Sequence, residues 1–524
     1  MHTNEETTML NQFFLFRIHG SRFIVLILSL ALLTGLVGWF WHPALWFYVV
    51  LVPVAAIGLW DLFFTTNSIL RNFPFLGHFR FLSLEIAPEI HQYFVESHTD
   101  GTPFSQLQRT IVDRRSDRSL DTHPFGTEHD VYREQYEWIE HSIYPRDVSV
   151  EPPRVRVGGP DCRQPYDAAI LNISAMSFGS LSAPAIRALN GGAREGGFYH
   201  NTGEGGLSPY HEDAGADLVW EIGSGYFGCR DEEGRFDPDL FRETAMKPTV
   251  RMIEIKLSQG AKPGHGGVLP AAKNTPEIAN IRKVKPYTKI VSPAYHTAFH
   301  DATTLLEFVE QLRNLTDGKP IGFKLCIGKP QEFIDICRAM VETGMKPDFI
   351  TVDGSEGGTG AAPLEFSDSV GMPLERALVF VCDTLRGFDL SDHIRVITAG
   401  KIITGFDMIK AFALGADICN SARGMMFALG CIQALKCDTD ECPTGVATQD
   451  KHLTRGLVVE AKSHRVANFQ HETVRAAMEL LACMGLEKFS EVQRHHIQKR
   501  ISSFDVKSLE EIYPSVEKGA YLEN

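Results

Sequence analysis

The strongest hydrophobic pattern lies near the start of the chain, where residues 23–60 include no Asp, Glu, Lys or Arg. A first apolar run, residues 23–41, is long enough to cross a bilayer, which takes ~20 residues. After a His-Pro interruption a second run occupies residues 44–62. A signal peptide would have a shorter apolar region, ~7–15 residues, without a second run, and a soluble enzyme has no need of a buried hairpin of this composition. We therefore predict a membrane hairpin of two transmembrane helices within residues 1–80.

Basic residues on both sides of this hairpin predict its orientation. Arg17 and Arg22 precede the first run, Arg71 and Arg80 follow the second, and the turn between the runs has neither Lys nor Arg. Because basic flanks stay on the cytoplasmic side, both ends of the hairpin should face the cytoplasm. We expect the protein at the inner (cytoplasmic) membrane, with its catalytic domain in a reducing compartment where thiols remain free to bind metal.

Further along the chain, short β-branched runs alternate with helical patterns. Strands are predicted at 168–178, 198–202, 252–259, 289–295, 321–326, 349–354, 394–400 and 416–422. Helices are predicted between them, among others at 303–314, 331–344, 374–388 and 405–415. This alternation indicates parallel pairing, and eight repeats favour a closed (β/α)8 TIM barrel, an α/β fold. A doubly wound open sheet is the alternative, but no strand leads into a G-x-G-x-x-G turn.

These patterns divide the chain into four parts. A lead-in segment, 81–165, includes a charged run at 113–118 that is most simply a solvated surface. The barrel domain covers 166–460, and a helical tail, 461–524, carries periodic apolar residues at 472–486. A long insertion, 201–228, is expected after the second strand, on the face where barrel enzymes carry their active sites.

Composition narrows the class of protein. The 524 residues are 44% hydrophobic and 22% charged, which is typical of a mostly folded chain. A formal net charge of −14 argues against a generally basic nucleic-acid binder, so no nucleic acid is expected as a partner. Ten cysteines are too few for a disulfide scaffold in a chain of this length.

Three of those cysteines lie close together, Cys431, Cys437 and Cys442, and a proline follows the last. A predicted helix at 425–436 leads into them. Cysteine thiolates are the usual ligands of iron–sulfur clusters, whereas structural zinc sites prefer closer pairs and often a histidine. Three ligands favour a [3Fe–4S] cluster over a [4Fe–4S] cluster. Three buried thiols acting as small apolar residues are the remaining alternative.

Loops at the ends of the predicted strands fit a flavin mononucleotide. A barrel commonly binds phosphate after its seventh and eighth strands, where this chain offers glycine amides and single bases. Glycines follow the sixth strand, small and hydroxyl residues follow the first, and Lys324 is a lone cation in an apolar strand, where a flavin pyrimidine edge is a sensible partner. The candidate cofactor-binding residues are Met176, Ser177, Lys324, Gly357, Gly358, Gly400, Lys401, Ser421 and Arg423.

Five long motifs resemble the FMN-binding synthase domain of bacterial glutamate synthase across about residues 165–460. They read AMSFGSLS, NTGEGG, IKLSQGAKPGHGG, DGSEGGTGA and LGCIQALKCDTDECPTGVATQD. The resemblance implies a (β/α)8 barrel that holds FMN and one [3Fe–4S] cluster, with electrons passing from the cluster to FMN. It also implies hydride transfer from reduced FMN to 2-iminoglutarate, formed from 2-oxoglutarate and ammonia, to give L-glutamate.

The resemblance assigns roles to individual residues of this chain. The three cysteines would bind the cluster, and Ser177, Lys324, Gly357 and Gly358 would touch the flavin. The candidate catalytic residues are Glu204, Lys256, Lys262 and Arg282. The three cations would hold the carboxylates of the oxo acid, and the glutamate would sit beside the reacting carbon, where a carboxylate can handle a proton of ammonia or imine.

The chain also departs from the family pattern. It has neither the amino-terminal glutaminase domain nor the carboxy-terminal β-helix domain, so we expect the ammonia to be made outside this chain. Val268 replaces a substrate-facing glutamine, His265 replaces a glutamate, and Tyr226 replaces an arginine. The motifs thus predict the redox cofactors more closely than they predict the acceptor.

Three functions follow as hypotheses. The first is a membrane-anchored, glutamate synthase-like oxidoreductase acting on CH–NH2 donors, with ferredoxin, a reductase subunit or a quinone as its electron partner. The second is a flavin dehydrogenase of another small amino or 2-oxo acid that passes electrons to a membrane carrier. The third is a redox sensor or assembly partner that keeps the cofactors without turnover, which the presence of Glu204 and Lys256 argues against.

Overall fold

The computed structural model describes residues 20–522. They form two compact units, of which the first ends at Gly101 and the second begins at Thr102. This division lies inside the predicted lead-in segment. In the first unit the helices are Gly20–Phe40, Tyr48–Phe63, Ser68–Asn72 and Leu76–Ile90, with a 3-10 helix at His42–Phe47 and a π turn at His91–Val95. Arg17, used above for orientation, lies outside the described residues.

Two segments of this unit, Arg22–Phe40 and His42–Phe63, are long and apolar enough to cross a membrane by length and composition alone. Asp61, near the end of the second segment, is buried and accepts hydrogen bonds from the backbone N–H of Phe75 and the ring of His78, each at 2.9 Å. These bonds fix the start of the following helix, because they satisfy an N–H that has no partner inside the helix.

The second unit is built on a closed barrel of parallel strands, which confirms the predicted fold. In chain order the barrel strands are Leu171–Ile173, His200–Asn201, Leu218–Ile222, Val250–Lys256, Ile321–Leu325, Phe349–Asp353, Arg395–Ala399 and Ile418–Ser421. The eighth strand pairs with the first, and Cys419 lies opposite Leu171, so the sheet has no free edge.

One of the eight predicted strands is wrong, and one barrel strand was not predicted. The third barrel strand is Leu218–Ile222, inside the segment predicted as an insertion. Residues 289–295 supply only Ile290–Val291, which pairs antiparallel with Val268–Leu269 outside the barrel. All five residues of Leu218–Ile222 are buried, as expected of a parallel strand covered on both faces, but its Glu221 interrupts the apolar run and hides the pattern.

Helices follow most barrel strands, and the four predicted above are confirmed to within two residues. In chain order the longer helices of the barrel domain are Ala183–Gly196, Pro238–Ala245, Pro276–Arg282, Ala302–Leu315, Pro330–Thr343, Leu374–Gly387, Gly405–Ala413 and Arg423–Leu429. Short helices lie at Pro209–Glu212, Leu364–Ser369 and Lys451–Thr454. The helix predicted at 425–436 is too long. It ends at Leu429 because Gly430 takes a left-handed φ of 105°, which leaves the three clustered cysteines in a loop.

The lead-in and the tail pack against the barrel. The tail helix Val459–Cys483 packs on Ala183–Gly196 and on the lead-in helix Gln106–Ser116. In the charged run at 113–118, Asp113 and Asp117 form ion pairs with Arg465, so this run is an interface as well as a surface.

A small antiparallel sheet joins the same two parts of the chain. Glu137–Ile139 of the lead-in pairs with Ile497–Arg500, which in turn pairs with Val506–Ser508. Because the last two of these strands lie in the tail, the tail is not purely helical, contrary to the prediction. It ends in the short helix Leu509–Ile512. A further hairpin, Arg154–Val157 with Tyr166–Ala169, precedes the first barrel strand.

Candidate active site

One cavity of about 1020 Å³ collects most of the predicted site residues at the carboxyl ends of the barrel strands. It is lined by Met176, Ser177, Glu204, Lys262, Arg282, Gly357, Gly358, Lys401, Arg423, Cys431, Cys437 and Cys442, among others. Barrel enzymes carry their chemistry at this end, since the strand-to-helix loops converge there. Another cavity, about 1200 Å³, is lined by Arg154, Arg395 and Asp417 and includes none of the predicted site residues.

Four predicted site residues do not line this cavity: Lys256, Lys324, Gly400 and Ser421. The Ser421 hydroxyl donates a hydrogen bond of 2.7 Å to the backbone carbonyl of Ile402. This bond connects the eighth strand to the loop after the seventh. Gly400 has a φ of 143°, which turns that loop toward Lys401. Both residues shape the loops after the seventh and eighth strands from behind the cavity wall.

Lys324 is not a lone cation. Its ammonium lies 3.3 Å from the Glu221 carboxylate and 3.8 Å from that of Asp353, inside the barrel. Burial alone would lower the pKa of Lys324, but these two carboxylates and Glu254 raise it above its ordinary value. The expectation that Lys324 lacks an anion within the protein is therefore wrong, because Glu221 and Asp353 supply carboxylates. Its contact with a flavin stays a prediction.

The sequence analysis missed Glu221, which pairs with Lys324 and also lines the cavity. It lies on the third barrel strand, the one not predicted from the sequence. A signal was present, since a single Glu in the run LVWEI is a charge at a buried position that needs a partner.

Glu204 and Lys256 form the closest ion pair of the site, with 2.6 Å between a carboxylate oxygen and the ammonium. Burial would raise the pKa of Glu204, but Lys256, Lys262 and Arg282 lower it to about 2. A Cβ at Gly267 would lie 2.4 Å from a Glu204 carboxylate oxygen, and one at Gly223 would lie 2.6 Å from the other. Two glycines thus leave room for this carboxylate between the loops.

Two further cations face the same cavity. Burial lowers the pKa of Lys262 to about 8; the like charge of Lys256 adds to this effect and Glu204 opposes it. The Lys262 ammonium donates a hydrogen bond of 3.1 Å to the Ala361 carbonyl. Burial also lowers the pKa of Arg282 to about 10, against the pull of Glu204. The Arg282 guanidinium donates 3.1 Å to the Phe178 carbonyl, beside Ser177. Both side chains are positively charged at neutral pH and suit a carboxylate ligand.

Lys401 and Arg423 flank the aromatic ring of Phe104. The Arg423 guanidinium lies 4.7 Å and the Lys401 ammonium 5.8 Å from the ring centroid. Arg423 donates 2.5 Å to the Glu356 carbonyl, and a Cβ at Gly358 would lie 2.9 Å from its Nε. A glycine there lets the loop after the sixth strand approach a fixed cation, which leaves two positive charges facing the cavity.

Phe104 belongs to the lead-in and is not among the site residues predicted from the sequence. Gln433 accepts a hydrogen bond from the Phe104 N–H and donates one to its carbonyl, both at 3.2 Å. The Gln433 N–H points at the Cys431 sulfur, 3.4 Å away. The lead-in therefore contacts both the cationic side of the cavity and the cysteine loop.

The three clustered cysteines line the cavity, and their thiols influence one another's ionisation. Burial raises the pKa of Cys431 to about 12, and the neighbouring Cys437 and Cys442 raise it further. Burial would raise the pKa of Cys442 as well, but the Thr444 hydroxyl and backbone N–H groups at 447, 444 and 446 lower it below its ordinary value. Such N–H groups suit a thiolate ligand.

No group of three or more His, Cys, Asp or Glu side chains within residues 20–522 converges to hold a metal ion. A cluster makes a different demand on the protein, because each thiolate binds a separate iron. The thiols therefore have to line a common space rather than meet at one point, and the three cysteines of this loop do so.

Of the substrate-side departures, Val268 lines the cavity and Tyr226 does not. The Tyr226 side chain is fully buried, and its hydroxyl lies 3.1 Å from both the His296 ring and the Ala298 N–H. His296 in turn contacts the Lys256 carbonyl at 2.8 Å. The tyrosine therefore supports the fourth strand from behind the cavity wall.

Comparison with known proteins places this geometry in a family. Residues 164–487 match the conserved region in glutamate synthase. The chain is 37% identical over 474 residues to the glutamate synthase large subunit-like protein YerD of Bacillus subtilis, covering 83% of this chain and 90% of that protein. It is 32% identical to the archaeal glutamate synthase [NADPH] of Methanocaldococcus jannaschii, covering 72% and 70%.

Other matches cover less or are more distant. An archaeal-type glutamate synthase [NADPH] of Thermotoga maritima is 35% identical, and this chain spans 59% of its length. A solved structure of mandelate oxidase with (S)-4-hydroxymandelic acid aligns with a TM-score of 0.43 at 16% identity, over 79% of this chain and 95% of that one. By the family match and these relatives, the chain belongs to the glutamate synthase family and is an oxidoreductase of that family.

Proposed function

We propose that this protein is an FMN and [3Fe–4S] oxidoreductase that forms L-glutamate from 2-oxoglutarate and ammonia. The observation that carries the proposal is the shared cavity. Three thiols, a pair of cations behind glycine-rich loops, and a carboxylate among three cations all belong to one site. These are the parts that electron entry, a flavin phosphate and a dicarboxylate substrate require.

FMN fits the residues on the cationic side of the cavity. Lys401 and Arg423 offer two positive charges for its phosphate, where barrels commonly bind phosphate. Gly357 and Gly358 leave the wall without side chains, and Met176 and Ser177 line the space beside them. FMN supplies hydride transfer when bound. The protein's part is to hold it against the substrate cations and to exclude water.

The substrate side favours a small dicarboxylate. Lys262 and Arg282 line the cavity and would bind its two carboxylates, with Lys256, which pairs with Glu204, beside them. Because the pKa of Glu204 is about 2, its carboxylate stays ionised at neutral pH. We infer that it orients ammonia or the imine by accepting an N–H hydrogen bond, rather than by taking up a proton. The ammonia would come from outside this chain.

The cysteine side favours an electron-transfer cluster. Cys431, Cys437 and Cys442 would bind a [3Fe–4S] cluster, one thiolate to each iron, and the N–H groups around Cys442 would stabilise a bound thiolate. The electron donor would be a ferredoxin or a reductase subunit, and a quinone would be an acceptor for the reverse flow.

The two apolar helices support membrane anchoring. Their side chains are mostly exposed in the described chain, as lipid-facing residues would be. Basic residues flank them on both sides, so we propose an anchor in the inner membrane with the barrel on the cytoplasmic side.

An anaerobic turnover test decides the main proposal. Full-length protein purified in detergent is reduced with dithionite, freed of excess reductant, and mixed with 2-oxoglutarate and ammonium. We expect the flavin absorbance to return and stoichiometric glutamate to form, with glutamine unable to replace ammonium. Absence of both flavin and iron from the purified protein, or failure of 2-oxoglutarate with ammonium to reoxidise it, would overturn the proposal.

A second candidate rests on Val268. The family's glutamine at this position is replaced by an apolar residue in the cavity wall, which favours an acid with an apolar side chain. The protein would then oxidise a different small amino or 2-oxo acid and reduce a membrane carrier. Anaerobic screening of amino acids for flavin bleaching distinguishes the two, because only the second candidate predicts bleaching by an apolar amino acid.

A further inference from the structure

Lys273 lies in the cavity wall and is 1% exposed. It ends the 3-10 turn Ala271–Lys273, shortly after Val268. Its ammonium donates three hydrogen bonds to backbone carbonyls: to Ser180 at 3.1 Å, to Cys437 at 2.7 Å and to Ala447 at 2.6 Å. One buried side chain therefore joins three separate loops.

Three carbonyl acceptors require three N–H donors on the same nitrogen. A lysine ammonium has three donors and no acceptor, whereas a neutral amine would turn its lone pair toward one of the carbonyls. The arrangement thus holds a full positive charge inside the protein. No carboxylate within the described residues forms an ion pair with Lys273. The backbone carbonyls therefore stabilise the charge directly, and the carboxylates of Asp440 and Asp438 add to this at longer range.

The positions of those carbonyls place the charge beside the predicted cluster. Cys437 is itself a predicted ligand, and Ala447 is in the segment whose N–H groups surround the Cys442 thiol. Ser180 belongs to the loop after the first strand, where its hydroxyl accepts a hydrogen bond from Ser177 at 3.1 Å. The same ammonium therefore contacts both the cysteine loop and the loop that faces the flavin position.

We propose that the positive charge of Lys273 sets the reduction potential of the cluster bound by Cys431, Cys437 and Cys442, while its hydrogen bonds hold the cysteine loop against the Ser180 loop. This inference rests on the proposed function. Reduction adds negative charge to the cluster, so a nearby cation stabilises the reduced state and raises its potential. Lys273 is a positioning residue that acts through the cluster and does not touch substrate.

A matched control exists in the same chain. Lys319 is also buried, and its ammonium donates to the carbonyls of Ala245 at 2.7 Å, Lys247 at 3.2 Å and Val250 at 2.6 Å. It precedes the fifth barrel strand, Ile321–Leu325, at the amino end of the barrel, and does not line the cavity. Replacing Lys319 therefore removes an equal number of hydrogen bonds to backbone carbonyls and an equal charge, at a site away from the cysteines.

The experiment is a redox titration followed by electron paramagnetic resonance on full-length wild type, Lys273→Met, Lys273→Arg and Lys319→Met. We expect Lys273→Met to shift the ratio of oxidised to reduced cluster at fixed potential at least tenfold toward the oxidised form, which is 59 mV for a one-electron couple. Lys273→Arg and Lys319→Met should retain the wild-type potential, even though Lys319→Met also loses thermal stability.

Each outcome bears on the proposal. An unchanged potential in a cluster-loaded Lys273→Met, or an equal shift in Lys273→Arg, overturns it. If Lys273→Met takes up no cluster, Lys273→Gln, which keeps N–H donors without charge, is titrated under the same criterion. Failure of both neutral variants to load, beside a loaded Lys273→Arg, would show that the charge serves cluster assembly and would overturn its role in setting the potential. A wild type without iron defeats the proposed function instead and is recognised by iron analysis before any variant is compared.

Discussion

The Lys256 ammonium lies 2.6 Å from a carboxylate oxygen of Glu204, at the meeting point of the fourth barrel strand and the loop after the second. Neither charge would be stable alone at this depth, because an unpaired buried ion is costly. The pair lets the protein keep an ionised carboxylate in the cavity before substrate arrives. Lys262 and Arg282 remain available to meet an anionic ligand.

Replacing Glu204 with Gln should abolish most activity without loss of the cofactors. The amide keeps the shape but removes the charge that orients ammonia, and we expect glutamate formation to fall by ~100-fold or more, within the range of a positioned catalytic side chain. Oxo acid binding should be retained or tightened, because Lys256 loses its internal partner. Stopped-flow reoxidation of the reduced protein measures both effects.

The control for this change is Glu212→Gln. Glu212 pairs with Lys247 at 2.7 Å, but on the surface, where an ion pair contributes little. Its activity should equal that of wild type. Equal losses in the two variants would mean that the effect of Glu204→Gln is general destabilisation.

Binding of the oxo acid should weaken as the pH rises through about 8. Lys262 is the cation responsible, since burial lowers its pKa to about 8. Below that pH the ammonium attracts a carboxylate, and above it the neutral amine does not, so the KM for 2-oxoglutarate should rise by up to tenfold per pH unit. Lys262→Arg should flatten the profile because a guanidinium stays charged. A steep rise that persists in Lys262→Arg would assign the titration to another group.

Changing Cys437 to Ser should remove the cluster and leave FMN bound. The hydroxyl is a poor iron ligand at neutral pH, whereas Lys401 and Arg423, which face the flavin phosphate in our proposal, are untouched. Iron content should fall to background while the flavin spectrum persists. Cys483→Ser is the control, because Cys483 is exposed and lies outside the cavity. Loss of flavin together with iron would indicate that the cysteine loop is mainly structural.

Membrane attachment predicts sensitivity to a charge in the first apolar helix. Leu32 is 67% exposed, and an arginine at the centre of a spanning helix costs ~2.5–3.5 kcal/mol for insertion. Leu32→Arg should therefore release part of the protein from the membrane fraction. Leu120→Arg, at an 81% exposed position of the second unit, should stay with the membrane. Soluble wild-type protein after cell breakage would contradict the anchor directly.

The sequence predicted the barrel because strand and helix periods differ clearly in most repeats. It failed at Leu218–Ile222, where Glu221 breaks the apolar pattern. Strand identity there depends on Lys324, more than a hundred residues away, which supplies the partner that makes a buried carboxylate tolerable. A pattern read along the chain carries no information about such a partner.

The site divides in the same way. Local motifs identified the three cysteines, the glycine-rich loops, Glu204 and the substrate-side cations, and the structure brings most of them to one cavity. The roles of Phe104 and Lys273 were not predictable, since each depends on loops that meet only after folding. Tyr226 shows the reverse case, because it counts among the substrate-side changes in the sequence, whereas the structure places its ring behind the cavity wall.

What the amino-acid sequence determined by itself is therefore the kind of protein: a parallel barrel preceded by two apolar helices, with thiols and glycine-rich loops in a fixed order. Periodicity and residue chemistry are local, and they are written along the chain. Only the tertiary structure decided which charges meet, that Glu204 stays ionised, that Lys324 has partners, and that Lys273 joins three loops. Those facts depend on distances of a few ångströms between distant residues, and on the loss of water around them, neither of which exists before the chain folds.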